Sequence, residues 1–316
     1  MKLATLTPRV SVIVPVRNGA RDIRELLDCL ERQTLGRDEF EIIIGDDGST
    51  DGGTDDIETD DGHHRVVRGP ARNAYAARNR AVAASRTQRL AFCDADCRPA
   101  PGWLEAGLDA LQAADLVAGR IRFAMPARPS IWSLLDAETT KNHEQQVKLG
   151  NAETANLFTY RSLFDAVGGF DERQPGYGDF DFVERAIAAG ARLVFDENAL
   201  VEHPVRTDAV AFLRNVWSMN ASYATLEARR GLRPEGLRPR EWIPVVQTLR
   251  SRRRFGVPLG LDRRWLGQSG AQPTLLDDLQ ALPLTYLVLP YLRVAAQASG
   301  WRRGRRERGT DGVASD

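Results

Sequence analysis

The sequence predicts an α/β fold, with a mostly parallel central sheet flanked by helices and a helical extension at the C-terminal end. Three observations carry this. Short β-branched runs alternate with amphipathic segments from about residue 10 onward. The first of these runs is mostly continuous in hydrophobicity, the pattern of strands buried on both faces. Three strand ends also run into polar clusters, which is where α/β proteins gather their ligands.

Val10-Ser11-Val12-Ile13-Val14-Pro15-Val16 forms the first strand. Pro15 has no N–H for a ladder, so the strand ends near it and the chain turns through Arg17-Asn18-Gly19. A helix follows, with Ile23, Leu26, Leu27 and Leu30 at helical spacing. Phe40 to Ile44 is the second strand, ending in a loop dense in Asp and Gly, Gly45-Asp46-Asp47-Gly48-Ser49-Thr50-Asp51-Gly52. Arg65 to Arg68 is a short third strand and Asn73 to Ser85 an Ala-rich helix. The fourth strand, Arg89 to Cys93, runs directly into Asp94-Ala95-Asp96. In extended conformation Asp94 and Asp96 point to the same side, two hard oxygen ligands suited to Mg2+ or Mn2+ shared with a phosphate. Such a tripeptide alone is more often a solvated turn, and Asp46 and Asp47 alone more often close a loop through backbone bonds. The coincidence of acidic strand ends is what favours a site.

Trp103 to Leu111 reads as a helix, and 115–119 and 121–123 as further strands. The polar stretch from Asp136 to Ala152 reads as a solvated helix. Ala155 to Thr159 is extended, Gly168 to Asp171 a turn and Pro175 to Gly178 a loop. Asp179 to Gly190 is a helix with Asp179 as its N-cap and Gly190 as its stop. Arg192 to Phe195 and Ala199 to His203 are extended, the latter ending at His203-Pro204. Val210 to Ala228 is helical, Arg230 to Arg254 an Arg- and Pro-rich linker, Leu275 to Ala298 the most apolar region and Trp301 to Arg308 a basic one.

The 43 basic and 43 acidic residues cancel, so no global charge draws the chain to nucleic acid. Cys29, Cys93 and Cys97 are too few for a disulfide framework, which favours a reducing compartment; Cys93 reads as strand packing. The N-terminus lacks an apolar run of signal-peptide length, and no long uninterrupted apolar stretch occurs, so a cytoplasmic location is expected. A dinucleotide Gly-x-Gly-x-x-Gly and a Gly-Lys-Ser/Thr phosphate loop are both missing.

Taken together, the motifs between about residues 9 and 205 resemble the family 2 glycosyltransferases of the GT-A fold. Pro15, Val16, Arg17 and Asn18 are similar to the family's first nucleotide-contacting turn, and Asp46 and Asp47 to its second. Arg78 and Asn79 resemble the helix bordering the nucleotide pocket, and Asp94, Ala95 and Asp96 the metal and diphosphate motif. Gly178-Asp179 resembles the block that carries the catalytic base, although many relatives have Glu-Asp there; the base role carries over to Asp179, with Asp181 as its rival. His203 matches an additional metal ligand of some GT-A enzymes, beside Asp94 and Asp96.

The resemblance implies an inverting enzyme that needs Mg2+ or Mn2+. It would move a sugar from a nucleotide-diphospho-sugar, a UDP-sugar first of all, to a hydroxyl of a glycan or lipid-linked acceptor. It also implies a catalytic domain over 1–205, with a nucleotide-sugar-binding half in about 1–100, an acceptor half in about 101–205 and a helical extension over 206–316. A non-catalytic sugar-nucleotide or glycan-binding module on the same fold is the alternative; the presence of Asp94, Asp96 and Asp179 together argues against it. The apolar and basic residues of 275–308 suit peripheral contact with the inner face of a membrane. Packing of that segment onto the rest of the chain is the competing reading.

Overall fold

The computed structural model describes residues 8–57, 62–139, 142–234 and 271–311, together with Leu237, Leu261 and Leu266. They divide into two compact units, one within 1–122, 141–173 and 178–204, the other within 123–140, 174–177 and 205–316.

The first unit is built on a sheet of eight strands in the order β3-β2-β1-β4-β7-β6-β8-β5. They are β1 (Val10–Val16), β2 (Phe40–Asp46), β3 (His64–Arg68), β4 (Arg89–Cys93), β5 (Arg98–Pro99), β6 (Leu116–Ala124), β7 (Asn156–Tyr160) and β8 (Leu193–Pro204). The strands β3, β2, β1 and β4 are parallel, as the alternating pattern predicts. Beyond β4 the direction changes: β7 runs antiparallel to β4 and to β6, and β5 antiparallel to β8. The parallel expectation thus holds for one half of the sheet, and the whole is mixed.

Strand alternation explains why β1 and β2 are apolar without a break. Val10, Val12, Val14, Ile42 and Ile44 face one layer, with Ile23, Leu26 and Leu30 of α1 (Ala20–Leu30) and Trp103, Leu104 and Leu108 of α3 (Trp103–Leu111). Ile13 and Ile43 face the other, with Tyr75, Ala81 and Val82 of α2 (Ala74–Ala84) and Phe164 and Phe182. Burying a Val or Ile side chain is worth about 1.5–3 kcal/mol, so both layers stabilise the same strands. Asn73 starts α2 by accepting from the Tyr75 and Ala76 N–H groups, each at 3.0 Å. Gly45 lets that helix lie close on β2, because a Cβ there would run into the Ala77 carbonyl.

Two pairs of expected short strands are single longer ones: 115–119 and 121–123 merge in β6, and 192–195 and 199–203 in β8. The stretch 136–152 is not a solvated helix. It holds the end of α4 (Ile131–Thr139), the short α5 (His143–Lys148) and two fully buried polar side chains, Asp136 and His143. Asp136 accepts from the Arg206 backbone at 2.9 Å and its guanidinium at 3.1 Å, both within the second unit. His143 bridges the Gly119 carbonyl and the Glu153 N–H within the first. Their partners are remote in sequence, so the polarity read locally as exposure. Two more helices complete the first unit, α6 (Arg161–Ala166) and α7 (Gly178–Ala188).

The second unit joins α4 to α8 (Ala209–Arg229), α9 (Leu275–Pro283) and α10 (Leu289–Asp311). A π turn over Leu284–Val288 carries the chain from α9 to α10 despite Pro283. Phe123, Leu134, Leu135, Phe212, Val216, Ala281 and Leu289 form its core. The helices α8 and α10 meet at glycines: a Cβ on Gly300 or Gly304 would run into the Ala221 or Thr225 carbonyl. The basic residues Arg302 to Arg308 lie on α10, exposed or nearly so. Most of the expected linker 230–254 lies outside the described residues.

Candidate active site

Strand alternation predicts Asp94 and Asp96 on one side of an extended strand. Instead β4 ends at Cys93, and Asp94 to Cys97 is a tight turn closed by Cys97 N–H donating to the Asp94 carbonyl at 3.0 Å. Strand alternation therefore does not govern the pair, and the two carboxylates face different partners. Asp94 Oδ1 accepts from Arg78 Nη2 at 2.5 Å. Asp96 Oδ1 lies 3.4 Å from His203 Nε2.

Sheet register brings His203 there. Antiparallel pairing sets Arg98 opposite Glu202, so the next step along each strand sets Cys97 opposite His203. His203 is buried and its Nδ1 lies 2.7 Å from the Pro204 carbonyl. A carbonyl only accepts, so Nδ1 carries the hydrogen, and Nε2 is the ring atom that faces the Asp96 carboxylate. Nε2 and the carboxylate are the atom types that a divalent cation takes as ligands. The donor atoms of Asp96, Cys97 and His203 lie within 4.8 Å of one another. Burial foremost, then its neighbour Cys93, pushes the Cys97 thiol well up, which disfavours a thiolate there and leaves Asp96 and His203 as the better metal donors of the three.

On α7 the structure separates the two rival carboxylates. Asp181 is buried and pairs at 2.9 Å with Arg185 one helical turn on, and Arg185 also donates to the Val167 and Gly169 carbonyls. Asp179 is half-buried and bonded by neutral donors instead. It is not the N-cap expected of it, because α7 already begins at Gly178. Its Oδ1 accepts from the Tyr75 hydroxyl at 3.2 Å and the Phe180 N–H at 3.1 Å, and its Oδ2 faces the Thr154 N–H at 3.4 Å. Burial above all, then the nearby Glu153 charge, pushes its carboxyl up to about 6, against the opposing pull of Arg78. Burial, then the Asp179 charge, also pushes the Tyr75 phenol well up, so Tyr75 stays a donor.

Tyr75 and Glu153 were missed from the sequence. A signal for Tyr75 existed, since it precedes Arg78 by one turn of α2, and the Arg78 guanidinium sits 5.5 Å from its ring centre. Gly178 is explained as well: a Cβ there would meet the Tyr75 ring at 2.8–2.9 Å, so the Glu found in many relatives does not fit here.

The other expected residues form a wall. Pro15 and Val16 are buried at the end of β1, and the Val16 carbonyl accepts from Asp47 N–H at 2.9 Å. Arg17 and Asn18 are exposed; Asn18 takes a left-handed φ of 51° and its Oδ1 accepts from the Thr50 N–H at 2.8 Å. Asp46 is buried and accepts from Ser49 N–H and the Thr54 hydroxyl at 2.8 and 2.7 Å. Burial pushes its carboxyl up, but these bonds outweigh that and hold it below the usual range. Asp47, also buried, accepts from Arg72 N–H at 2.9 Å. Asn79 faces the 168–172 loop, exchanging bonds with the Phe170 backbone and donating to Glu172. Ala95 lies half-buried between the two aspartates.

The family model for glycosyl transferase family 2 matches residues 11–168, half of the chain. The chain belongs to that family, and it is a glycosyltransferase of the GT-A fold. Among curated proteins it is 32% identical over 212 residues to the glycosyltransferase AglE of Haloferax volcanii, covering 65% of this chain and 69% of that one. It is 31% identical over 251 residues to the pre-mycofactocin glycosyltransferase of Mycobacterium tuberculosis, covering 70% of this chain but only 48% of the relative. Among solved structures it resembles the mannosyltransferase PcManGT from Pyrobaculum calidifontis, in complex with GDP-Man and Mn2+. The TM-score is 0.59 at 20% identity, over 95% of this chain and 89% of that one. S. aureus TarS 1–349 in complex with UDP is similar with a TM-score of 0.51 at 17% identity, over 96% and 92% of the two chains.

Proposed function

We propose that the chain transfers a sugar from a nucleotide-diphospho-sugar to an acceptor hydroxyl, with inversion and with Mg2+ or Mn2+ held by Asp96 and His203. The observation that carries this reading is the continuous array Asp94–Arg78–Tyr75–Asp179, which links the acidic turn to a carboxylate raised to about 6. At neutral pH Asp179 is ionised yet more basic than an ordinary Asp, as a general base requires. Its Oδ1 is oriented by Tyr75 and Phe180, and Oδ2, which accepts one long bond from Thr154 N–H, has a second lone pair to take the acceptor proton. The acceptor oxygen then bonds to the anomeric carbon as the bond to the diphosphate oxygen breaks, and the diphosphate leaves with the electron pair. One displacement of this kind inverts the centre. Arg78 places its guanidinium where the diphosphate charge arrives, with Asp94 as its partner until then. A divalent ion would be held by Asp96 and His203, with Asp94 beside them, and would supply further neutralisation of that leaving group.

The two solved neighbours carry different bases, guanine in one and uracil in the other, so the fold does not select one. Thermal denaturation with a panel of UDP-, GDP- and dTDP-sugars, with and without Mn2+, tests the reading. One donor should stabilise the protein only when the ion is present. Stabilisation that ignores the ion in every case would overturn the metal role. A binding module in place of an enzyme would keep that donor and form no product with any glycan or lipid-linked acceptor.

The acceptor we propose is a glycan or a lipid-linked glycan, with 275–308 touching an anionic membrane surface. Leu275, Leu276, Leu279, Val288 and Tyr291 are exposed large apolar side chains, and Arg302, Arg303, Arg305 and Arg306 are exposed on α10. No helix among the described residues is long and apolar enough to cross a membrane. Full-length protein should sediment with anionic vesicles and not neutral ones, and Arg302→Glu with Arg303→Glu should release it. Indifference to anionic vesicles at low salt would remove the membrane from the proposal.

A further inference from the structure

A second set of metal-type donors lies in the first unit on other elements. Glu31 is the C-cap of α1, His64 opens β3, the edge strand of the sheet, and His63 lies in the bend just before it. The donor atoms of these three residues lie within 4.8 Å of one another. Glu31 Oε1 is 3.1 Å from His64 Nε2 and 3.9 Å from His63 Nε2. Ligands on a tetrahedral zinc stand roughly 3.3–3.5 Å apart when each bond is about 2.0–2.2 Å, so the observed separations bracket that geometry.

Neighbouring residues in a strand point to opposite faces, yet here both rings gather on one side. Gly62, at a φ of 69°, turns the chain, and His63 still lies in the bend before β3 begins. The two rings are 4.8 Å apart, and Phe40 holds the His63 ring edge-on at 4.9 Å. Both imidazoles are buried, whereas Glu31 reaches them from the surface. Arg37 lies 3.5 Å from the other Glu31 oxygen, Oε2, which orients Oε1 toward the rings.

We propose that Glu31, His63 and His64 bind a transition-metal ion of the zinc class, with water as fourth ligand, clamping the end of α1 to the sheet edge. Two imidazole nitrogens and one carboxylate oxygen suit zinc, whereas the harder Mg2+ prefers oxygen alone. This site is independent of the transferase reading.

The test uses full-length protein stripped with chelator and then titrated with Co2+ in excess Mg2+, cobalt serving as a visible stand-in for zinc. A tetrahedral-type visible band should saturate at one equivalent, Zn2+ should bleach it, and Zn2+ should raise Tm. Glu31→Gln and His64→Gln should each weaken Zn2+ by more than about 100-fold, beyond the loss typical of an outer partner. The variants Asp96→Asn and His203→Gln should keep the band. If His64→Gln fails to fold, Glu31→Gln decides alone, since it alters a surface side chain. Absence of the band and of the Tm rise in wild type would overturn the proposal. So would a band lost in His203→Gln but kept in Glu31→Gln.

Discussion

The loop after β2 and the turn after β4 are both acidic strand ends on the same sheet, yet they use their carboxylates differently. Asp46 is saturated by Ser49 and Thr54 of its own loop, Asp47 accepts from Arg72 N–H with Arg80 3.6 Å away, and both are buried. Asp94 and Asp96 are only part-buried and meet Arg78 and His203, which arrive from α2 and β8. A carboxylate satisfied within its own loop builds a wall. One held by a cationic group or a metal-type nitrogen from another element can exchange that partner for a ligand. The head of α7 repeats the contrast within one turn, with Asp181 locked to Arg185 and Asp179 held by neutral donors and raised.

The largest expected effect breaks that last comparison. Asp179→Asn should lower kcat by about 10²–10⁴-fold, the scale of a general base, with donor binding retained. Asp181→Asn should instead lose about 3 kcal/mol in urea unfolding, because Arg185 is left without its buried carboxylate. If Asp181→Asn abolishes turnover in a folded protein while Asp179→Asn does not, the roles are reversed. Next, Asp96→Asn and His203→Gln should each abolish the Mn2+-dependent stabilisation by the nucleoside diphosphate, about 2.7 kcal/mol at a hundredfold excess over Kd. Full retention in both would mean that the turn after β4 is a wall as well.

A smaller effect sharpens the contrast from the other side. Asp46→Ala should cost about 1–3 kcal/mol in chemical denaturation by stranding the Ser49 and Thr54 donors. Because the Asp46 carboxyl is lowered on folding, its stabilisation is present above the ordinary Asp range and is lost as pH falls through it.

The smallest effect is in the pH profile. With Asp179 raised to about 6, kcat should climb about tenfold from pH 5 to pH 7. The stability sign is opposite to that of Asp46. Between the ordinary Asp range and about 6 the folded state holds a proton that the unfolded chain has released, so the Asp179 contribution declines as pH rises through that window. Asp179→Asn should therefore be at least as stable as wild type at pH 7 and lose that decline, which calorimetry at pH 4 and pH 7 reads directly.

The sequence by itself determined the strands β1, β2 and β4, the helices α1, α2 and α3 and the acidic strand ends, because periodicity and turn chemistry are local and survive without any tertiary partner. It also carried the family, since the motifs of residues 11–168 are short and contiguous. Only the tertiary structure decided which carboxylates are saturated and which are exchangeable. Asp96 and His203 meet because β5 pairs with β8, and Asp179 is raised because burial at the head of α7, then the Glu153 charge, disfavour its ionised form. The buried Asp136 and His143 looked like solvated polarity for the same reason, their partners lying far along the chain. Hydrogen bonds and desolvation act over a few ångströms of space, and the distance between two residues along the chain does not reveal them.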